Sequence, residues 1–279
     1  MTKMNRAAAV MLFSLLGAMP LFGAGAKDSI TLALIPDGLP LAQKMPLQKY
    51  LTEQMGHNVK LVTPESYTDT LEGLSNGSID FAFLGALTYV RARAKIGVVP
   101  LVQRSSDLQF HSLFIAGAGT SIHNLNDVKG KKFAFGDVNS TSGHLIPYLE
   151  LKQAGLNAGT DYEFRYSREH PATVKLVELG VVDAGAVDES VFKAMIKDGR
   201  ADKNKIRVIH TSKPFVDYVF AARKGVSEGD REKFAAALLG LREGTNDDLL
   251  KILRADRFIK ANDEEYATVR EIARELKLF

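Results

Sequence analysis

Cysteine is absent from all 279 residues. Disulfide-stapled folds, zinc ribbons, iron–sulfur clusters and thiol nucleophiles all need sulfur ligands, so each is excluded. Charge of one sign is also scarce. Lys and Arg total 36 against 33 Asp and Glu, and no basic run exceeds two residues, which leaves no electrostatic footprint for nucleic acid. The chain has no Gly-x-x-x-x-Gly-Lys-Ser/Thr, and Gly117-x-Gly119 lacks the third glycine of a dinucleotide loop. Its six histidines (57, 111, 123, 144, 170 and 210) include no pair one helical turn apart, so neither a metal nor a cofactor is expected. What is present is an ordinary globular composition, 46% hydrophobic and 25% charged, in a chain long enough for one large or two modest domains.

Only one apolar run approaches a membrane span, and it stands at the N-terminus. Lys3 and Arg6 precede an uncharged stretch from Ala7 to Ala26 that is interrupted by Gly17 and Pro20 and closes on Ala24-Gly25-Ala26. A basic start, a short apolar centre and a small-x-small end read as a signal peptide over residues 1–26, removed after Ala26. No cysteine follows it, so no lipid attachment is expected. Removal takes two positive charges with it and leaves a near-neutral, soluble chain.

Beyond the leader, short apolar runs alternate with helical periodicity: Ile30–Leu34, a helix from Pro40 to Met55, then Val59–Val62. This is an α/β pattern. A longer unit repeats, with helices leading into Gly77-Ser78-Ile79-Asp80-Phe81-Ala82-Phe83 and Gly180-Val181-Val182-Asp183-Ala184-Gly185-Ala186. In each, the glycine suits a left-handed helix stop, the aspartate a tight turn, and the small apolar run a parallel strand covered on both faces. Two similar α/β lobes are therefore expected, their strands ending at Gly85–Tyr89 and at Asp188–Ser190 beside a shared cleft. Strand-like segments flanked by changes in composition put the crossings at 111–116 and 218–222, giving a first lobe of 27–116 plus 216–279 and a second of 117–215. Residues 228–242, with Phe234, Leu238 and Leu241 on one face, and a last helix opened by Asn262 and Glu265 read as scaffold.

The chemistry concentrates after the strand Phe133-Ala134-Phe135, in Gly136-Asp137-Val138-Asn139-Ser140-Thr141-Ser142-Gly143-His144. A helix follows, with Pro147 tolerated in its first turns. Three hydroxyls at a helix start, together with free N–H groups and the positive end of the helix dipole, suit a small tetrahedral anion without any Lys or Arg. N-capping alone would need only one of them.

This loop resembles the binding-loop signature of the phosphonate/phosphite family of periplasmic ABC-transporter substrate-binding proteins. Tyr67, Gly77-x-x-Asp80, Gly85-x-x-x-Tyr89, His170, Val182–Ala186 and Asp217 fall in that family's order, so the resemblance spans essentially the whole mature chain. It implies a type II periplasmic-binding-protein fold, each lobe a mostly parallel sheet flanked by helices, with the ligand cleft between lobes. The implied function is periplasmic capture of a small phosphorus oxyanion, phosphite or a small phosphonate such as methylphosphonate, by a monomer that delivers it to an inner-membrane permease and performs no catalysis. By the same resemblance Ser140, Thr141 and Ser142 donate to ligand oxygens, Tyr67 donates from the first lobe, and His170, an acid of Asp188-Glu189 (Glu189 preferred) and Asp217 complete the site. Tyr89, Phe110 and His111 are further candidates. The family commonly has proline where this chain has Ala86.

Carboxylates suit such a site when the ligand still carries a proton. A P–OH can donate to Asp217 or Glu189, whereas fully ionised sulfate is repelled. Two rivals stand: a periplasmic esterase using Ser140 or Ser142 with His144 or His170, although Asn-Ser-Thr-Ser-Gly is not the Gly-x-Ser-x-Gly of a nucleophile elbow, and a type II receptor for another oxyanion or a sulfonate.

Overall fold

The apolar run at Ile30 forms strand β1 (Ser29–Ala33), and a 3-10 turn then leads into α1 (Met45–Met55), whose Pro46 sits in the first turn where its missing N–H does no harm. There follow β2 (Asn58–Val62), α2 (Tyr67–Asn76), β3 (Phe81–Leu84), α3 (Ala86–Ile96) and β4 (Val99–Arg104). The chain then crosses to β5 (Ser112–Gly117), β6 (Lys132–Phe135), α4 (Ile146–Gln153), β7 (Glu163–Tyr166), α5 (His170–Glu178), β8 (Ala184–Asp188), α6 (Glu189–Lys197) and β9 (Ile206–Thr211). It returns through β10 (Val219–Ala222), α7 (Glu228–Leu239), α8 (Asp247–Leu253), β11 (Phe258–Lys260) and α9 (Ala267–Glu275). The computed structural model describes residues 29–36 and 38–278, so the leader expected over 1–26 lies outside the described residues. Among the described residues no helix is long and apolar enough to cross a membrane.

The strands form two sheets, ordered β11-β4-β10-β3-β1-β2 and β7-β6-β8-β5-β9. They share one plan. In the first, β1 lies between β2 and β3, all parallel, and β10 runs antiparallel beside β3; in the second, β6 lies between β7 and β8, all parallel, and β5 runs antiparallel beside β8. Apolar side chains pack on both faces of each sheet, Phe81, Phe83, Phe220 and Phe234 opposing Leu84, Leu87 and Val90 in the first, and Ile115, Val174 and Val187 opposing Phe114, Phe133 and Phe135 in the second. Strands covered on both faces explain why they read as continuous apolar runs.

The repeated Gly-x-x-Asp has one structural meaning in both lobes. Gly77 (φ +80°) and Gly180 (φ +67°) take the left-handed conformation just past α2 and α5. Three residues on, the aspartate does more than turn the chain. Asp80 Oδ2 accepts the Thr31 N–H at 3.0 Å in the middle of β1 and Asp183 Oδ2 accepts the Lys132 N–H at 2.8 Å at the start of β6, so each carboxylate pins a neighbouring parallel strand. Arg223 adds a charge-assisted bond to Asp80 Oδ1 at 2.9 Å.

The first crossing comes earlier than the expected boundary at residue 116. Ser112–Gly117 pairs with both β8 and β9 and is an inner strand of the second sheet, because its alternating Leu113/Ile115 and Phe114/Ala116 fill two core faces at once. The chain crosses instead at Phe110, where a two-way bridge to Phe215 (2.9 and 3.0 Å) ties the outgoing and returning segments together. α7 stops at Leu239, leaving Leu241 buried in the following turn, and the Asn262/Glu265 capping box opens a 3-10 turn ahead of α9.

Asp80→Ala, which strands a part-buried N–H and a guanidinium, is expected to lower unfolding free energy by about 2–3 kcal/mol, and Asp183→Ala, at a more exposed site, by about 1 kcal/mol. Guanidinium unfolding checks this; equal midpoints for the two variants would contradict it.

Candidate ligand-binding site

Parallel strands converge their carboxyl ends on a cleft, and the loops that leave them carry the chemistry. The loop after β6 enters its helix through Ser140, whose extended backbone and side chain form an N-cap, Oγ accepting from Gly143 N at 3.0 Å. Thr141–Leu145 then makes a π-type turn: the Leu145 N–H reaches back five residues to Ser140 O at 3.0 Å, and the Ile146 N–H to Thr141 O. Pro147 has no N–H to give Gly143 O one turn back, and that carbonyl accepts from Gly136 N at 2.8 Å instead. The result is a widened helix start of a kind that recurs at functional sites, its first N–H groups lacking intrahelical acceptors. A Cβ at Gly143 would be crowded, 3.0 Å from Ser140 Oγ and 3.1 Å from both Gly136 Cα and His170 Cε1.

The plan shared by the sheets brings matching helix starts face to face. Tyr67 is the first residue of α2 and His170 the first of α5, and the Tyr67 hydroxyl lies 3.4 Å from His170 Nε2. Tyr218, entering β10, places its hydroxyl 3.3 Å from the same nitrogen. His170 Nδ1 accepts the Asp188 N–H at 3.2 Å, which assigns the ring proton to Nε2 and makes that atom a donor into the cluster. Asp188 caps α6, with Oδ1 accepting from Val191 N (2.8 Å) and Ser190 Oγ (2.7 Å). Asp217 Oδ1 accepts from Ala86 N at 2.9 Å, a bond that a proline at 86 would forfeit. The Thr141 hydroxyl takes the Leu87 N–H at 3.0 Å. Three side-chain atoms of this cluster, Ser142 Oγ, Asp188 Oδ2 and Asp217 Oδ2, are fully buried with no hydrogen-bond partner in the protein.

Burial sets the protonation states. It raises the Tyr67 and Tyr218 phenols well above their ordinary value, an effect reinforced by the nearby carboxylates, so both remain donors. It lowers His170, in keeping with the neutral tautomer. Asp217 is pushed up to about 7 by burial. Burial opposes charge on Asp188 too, but the surrounding basic groups, Arg254 and Arg104 among them, outweigh it and hold that carboxyl below the ordinary range. Two acids in one site are thus driven apart, one ionised and one poised to share a proton at neutral pH.

The lobes also touch directly around Asn139. Its Nδ2 donates to Thr68 Oγ1 at 3.1 Å, its carbonyl accepts from Thr88 Oγ1 at 2.8 Å, and Arg91 donates to its Oδ1.

Tyr67, Ser140, Thr141, Ser142, His170, Asp188 and Asp217 are therefore brought together in one buried cluster. Glu189 is not. As the first residue of α6 it points outward and pairs with Lys193 one turn along, while the cap residue before it turns inward. Tyr89 is turned into the first-lobe core, its hydroxyl on Asp263 and its ring against Tyr266. Phe110 meets the Tyr218 ring edge-on at 5.4 Å and so backs the site, and His111 bonds Ser212 O at 2.8 Å beside the crossing. Tyr218 was not anticipated from sequence. The available signal was a hydroxyl-bearing aromatic next to Asp217 at the mouth of a strand. Among the described residues no group of three or more His, Asp and Glu is placed to hold a metal ion.

Residues 41–266 match the family model described as ABC transporter, phosphonate, periplasmic substrate-binding protein. The chain belongs to that family. Its members serve ABC transporters as periplasmic substrate receptors. Among curated relatives, the probable ABC transporter phosphite binding protein PhnD1 of Prochlorococcus marinus (strain MIT 9301) is 28% identical over 243 residues, 82% of each chain. The phosphate-import protein PhnD of Mycolicibacterium smegmatis is 31% identical over 216 residues, 71% of this chain and 67% of the relative. The solved structure of PhnD1 from Prochlorococcus marinus in complex with methylphosphonate superposes with a TM-score of 0.83 at 26% identity, covering 90% of this chain and 99% of that one. The two-lobed fold is thus that of the phosphonate-family receptors.

Because Asp217 holds its proton more tightly when folded, the folded protein binds more protons than the unfolded chain between about pH 4 and about pH 7, and stability falls as pH rises through that window. Asp217→Asn is expected to remove this component. Guanidinium unfolding of both proteins at pH 5, 6 and 8 checks it, and parallel profiles would contradict the assignment.

Proposed function

We propose that this protein is the periplasmic receptor for a small phosphorus oxyanion, phosphite or a small phosphonate such as methylphosphonate, and that it binds without turnover and hands the ligand to an inner-membrane permease. The observation that carries this reading is the set of three buried, unpaired side-chain atoms, one hydroxyl and two carboxylate oxygens, beside a widened helix start and two protonated tyrosines. Such a site offers donors from Tyr67, Tyr218, His170 Nε2 and the Ser140–Ser142 loop to three ligand oxygens. It also offers carboxylate acceptors, which only a ligand bearing a proton can use. Sulfate, with no proton to give near neutral pH, meets the ionised Asp188 as repulsion.

The names of the relatives support the ligand class. One is called a phosphite binding protein and its solved structure holds methylphosphonate, while another is called a phosphate-import protein. Phosphate meets the same proton requirement, so its rank against the other two belongs to experiment. We read the leader as cleaved after Ala26, with no lipid anchor, and the receptor as a monomer that binds neither nucleic acid nor metal.

Local geometry disfavours the Ser140–His144 form of the esterase. Ser140 Oγ is engaged by Gly143 N, and His144 is occupied at both ring nitrogens, with Val138 O at 2.9 Å and the Tyr166 hydroxyl at 3.1 Å. Neither is arranged as half of a nucleophile–base pair.

Calorimetric titration with phosphite, methylphosphonate, phosphate and sulfate tests the reading. Binding of the phosphorus oxyanions with no sulfate response is expected, and Ser142→Ala should weaken that binding by about tenfold or more, the worth of one hydrogen bond to a charged group. Failure of all three phosphorus oxyanions to bind would overturn the reading.

A further inference from the structure

Beneath the site lies a buried ion pair that the ligand would not touch. The Arg104 guanidinium, 1% exposed, grips Asp107 through Nε (3.0 and 2.9 Å to the two carboxylate oxygens) and Nη2 (2.6 Å to Oδ1). Its Nη1 faces the Leu253 and Arg254 carbonyls at the end of α8, at 3.5 and 3.4 Å. Its Cζ lies 5.0 Å from the Tyr218 ring centroid, 5.3 Å from Phe83 and 5.7 Å from Phe110, so three aromatic rings surround the cation.

Desolvating two charges rarely stabilises a fold more than apolar packing of the same volume would, so holding the fold together is weak grounds for keeping this pair. Its contacts suggest another role. The backbone carbonyl of Asp107 accepts the Asp217 N–H at 3.0 Å, and the guanidinium backs the ring of Tyr218, the next residue. Phe110, the residue at the outgoing crossing, packs on the same cation and edge-on against Tyr218. The fork is planar and pinned on three sides, so it fixes both consecutive site residues where the returning segment enters the cleft.

We propose that the Arg104–Asp107 pair is a positioning element for ligand recognition, holding the Asp217 acceptor and the Tyr218 donor at the spacing the oxyanion requires. This rests on the proposed function insofar as it takes Asp217 and Tyr218 as ligand contacts. The pair acts through those residues and touches no ligand itself.

The test compares wild type with the double replacement Arg104→Met with Asp107→Leu, and with Arg104→Lys, which keeps the charge but loses the fork. In the ligand-free protein, amide hydrogen exchange at Asp217 should speed up at least about tenfold in the double variant while Val219–Ala222 keep their protection. Affinity for phosphite and methylphosphonate should fall by about thirtyfold or more, and Arg104→Lys, without the fork, should show at least about half of that loss on a logarithmic scale. If the double variant does not fold, Asp107→Asn serves in its place, with an expected loss of about tenfold. Wild-type exchange at Asp217, or an affinity within about threefold of wild type in a folded double variant, would overturn the proposal. A wild-type protein that bound none of the anions would contradict the proposed function, and the exchange comparison would still decide the role of the pair.

Discussion

Contact between the two lobes leaves Asp188, Asp217 and Ser142 buried, with one side-chain oxygen of each lacking a partner in the protein. An unpaired buried polar atom costs about 1–3 kcal/mol, more when it carries charge, so these three atoms oppose closure unless something in the cleft satisfies them. Under the proposed function a small oxyanion that still bears a proton does so: its oxygens would take the hydroxyl and ring N–H donors, and its P–OH would meet a carboxylate. Affinity, selectivity and closure then have one physical origin, since the ligand favours the closed state by the difference in its interactions with the two states.

The repeated architecture explains how such a site is assembled from distant parts of the chain. Each sheet places its first and third parallel strands side by side, so the helix after the second strand begins at the cleft edge in both lobes, with Tyr67 in one and His170 in the other. The antiparallel strand is what differs. β5 leads away from the crossing at Phe110, whereas β10 brings Asp217 and Tyr218 back from it, so the return path, and with it the Arg104–Asp107 pair below, completes the site asymmetrically.

Much of this was legible in the sequence because it is local. The Gly-x-x-Asp repeat marked equivalent strands, and Ser140-Thr141-Ser142-Gly143 followed by Pro147 marked the helix start. What escaped depended on long-range pairing or on side-chain direction. The sequence marks 111–116 as a strand-like crossing, and only the pairing of Ser112–Gly117 with β8 and β9 makes it an inner strand of the second sheet. Tyr218 enters the site only because β10 lies antiparallel to β3. Glu189 and Asp188 are adjacent acids, and the choice between them follows from helix geometry: a cap side chain folds back over the helix start, while the next residue faces the one four positions on, here Lys193.

Under the proposed function one proton is shared between the ligand and Asp217 in the closed cleft. Calorimetry of phosphite binding at pH 8 in two buffers of different ionisation enthalpy measures proton uptake directly. Uptake approaching about one proton per ligand in the wild type, and its loss in Asp217→Asn, is the expected result. Binding without proton uptake in the wild type would contradict the claim.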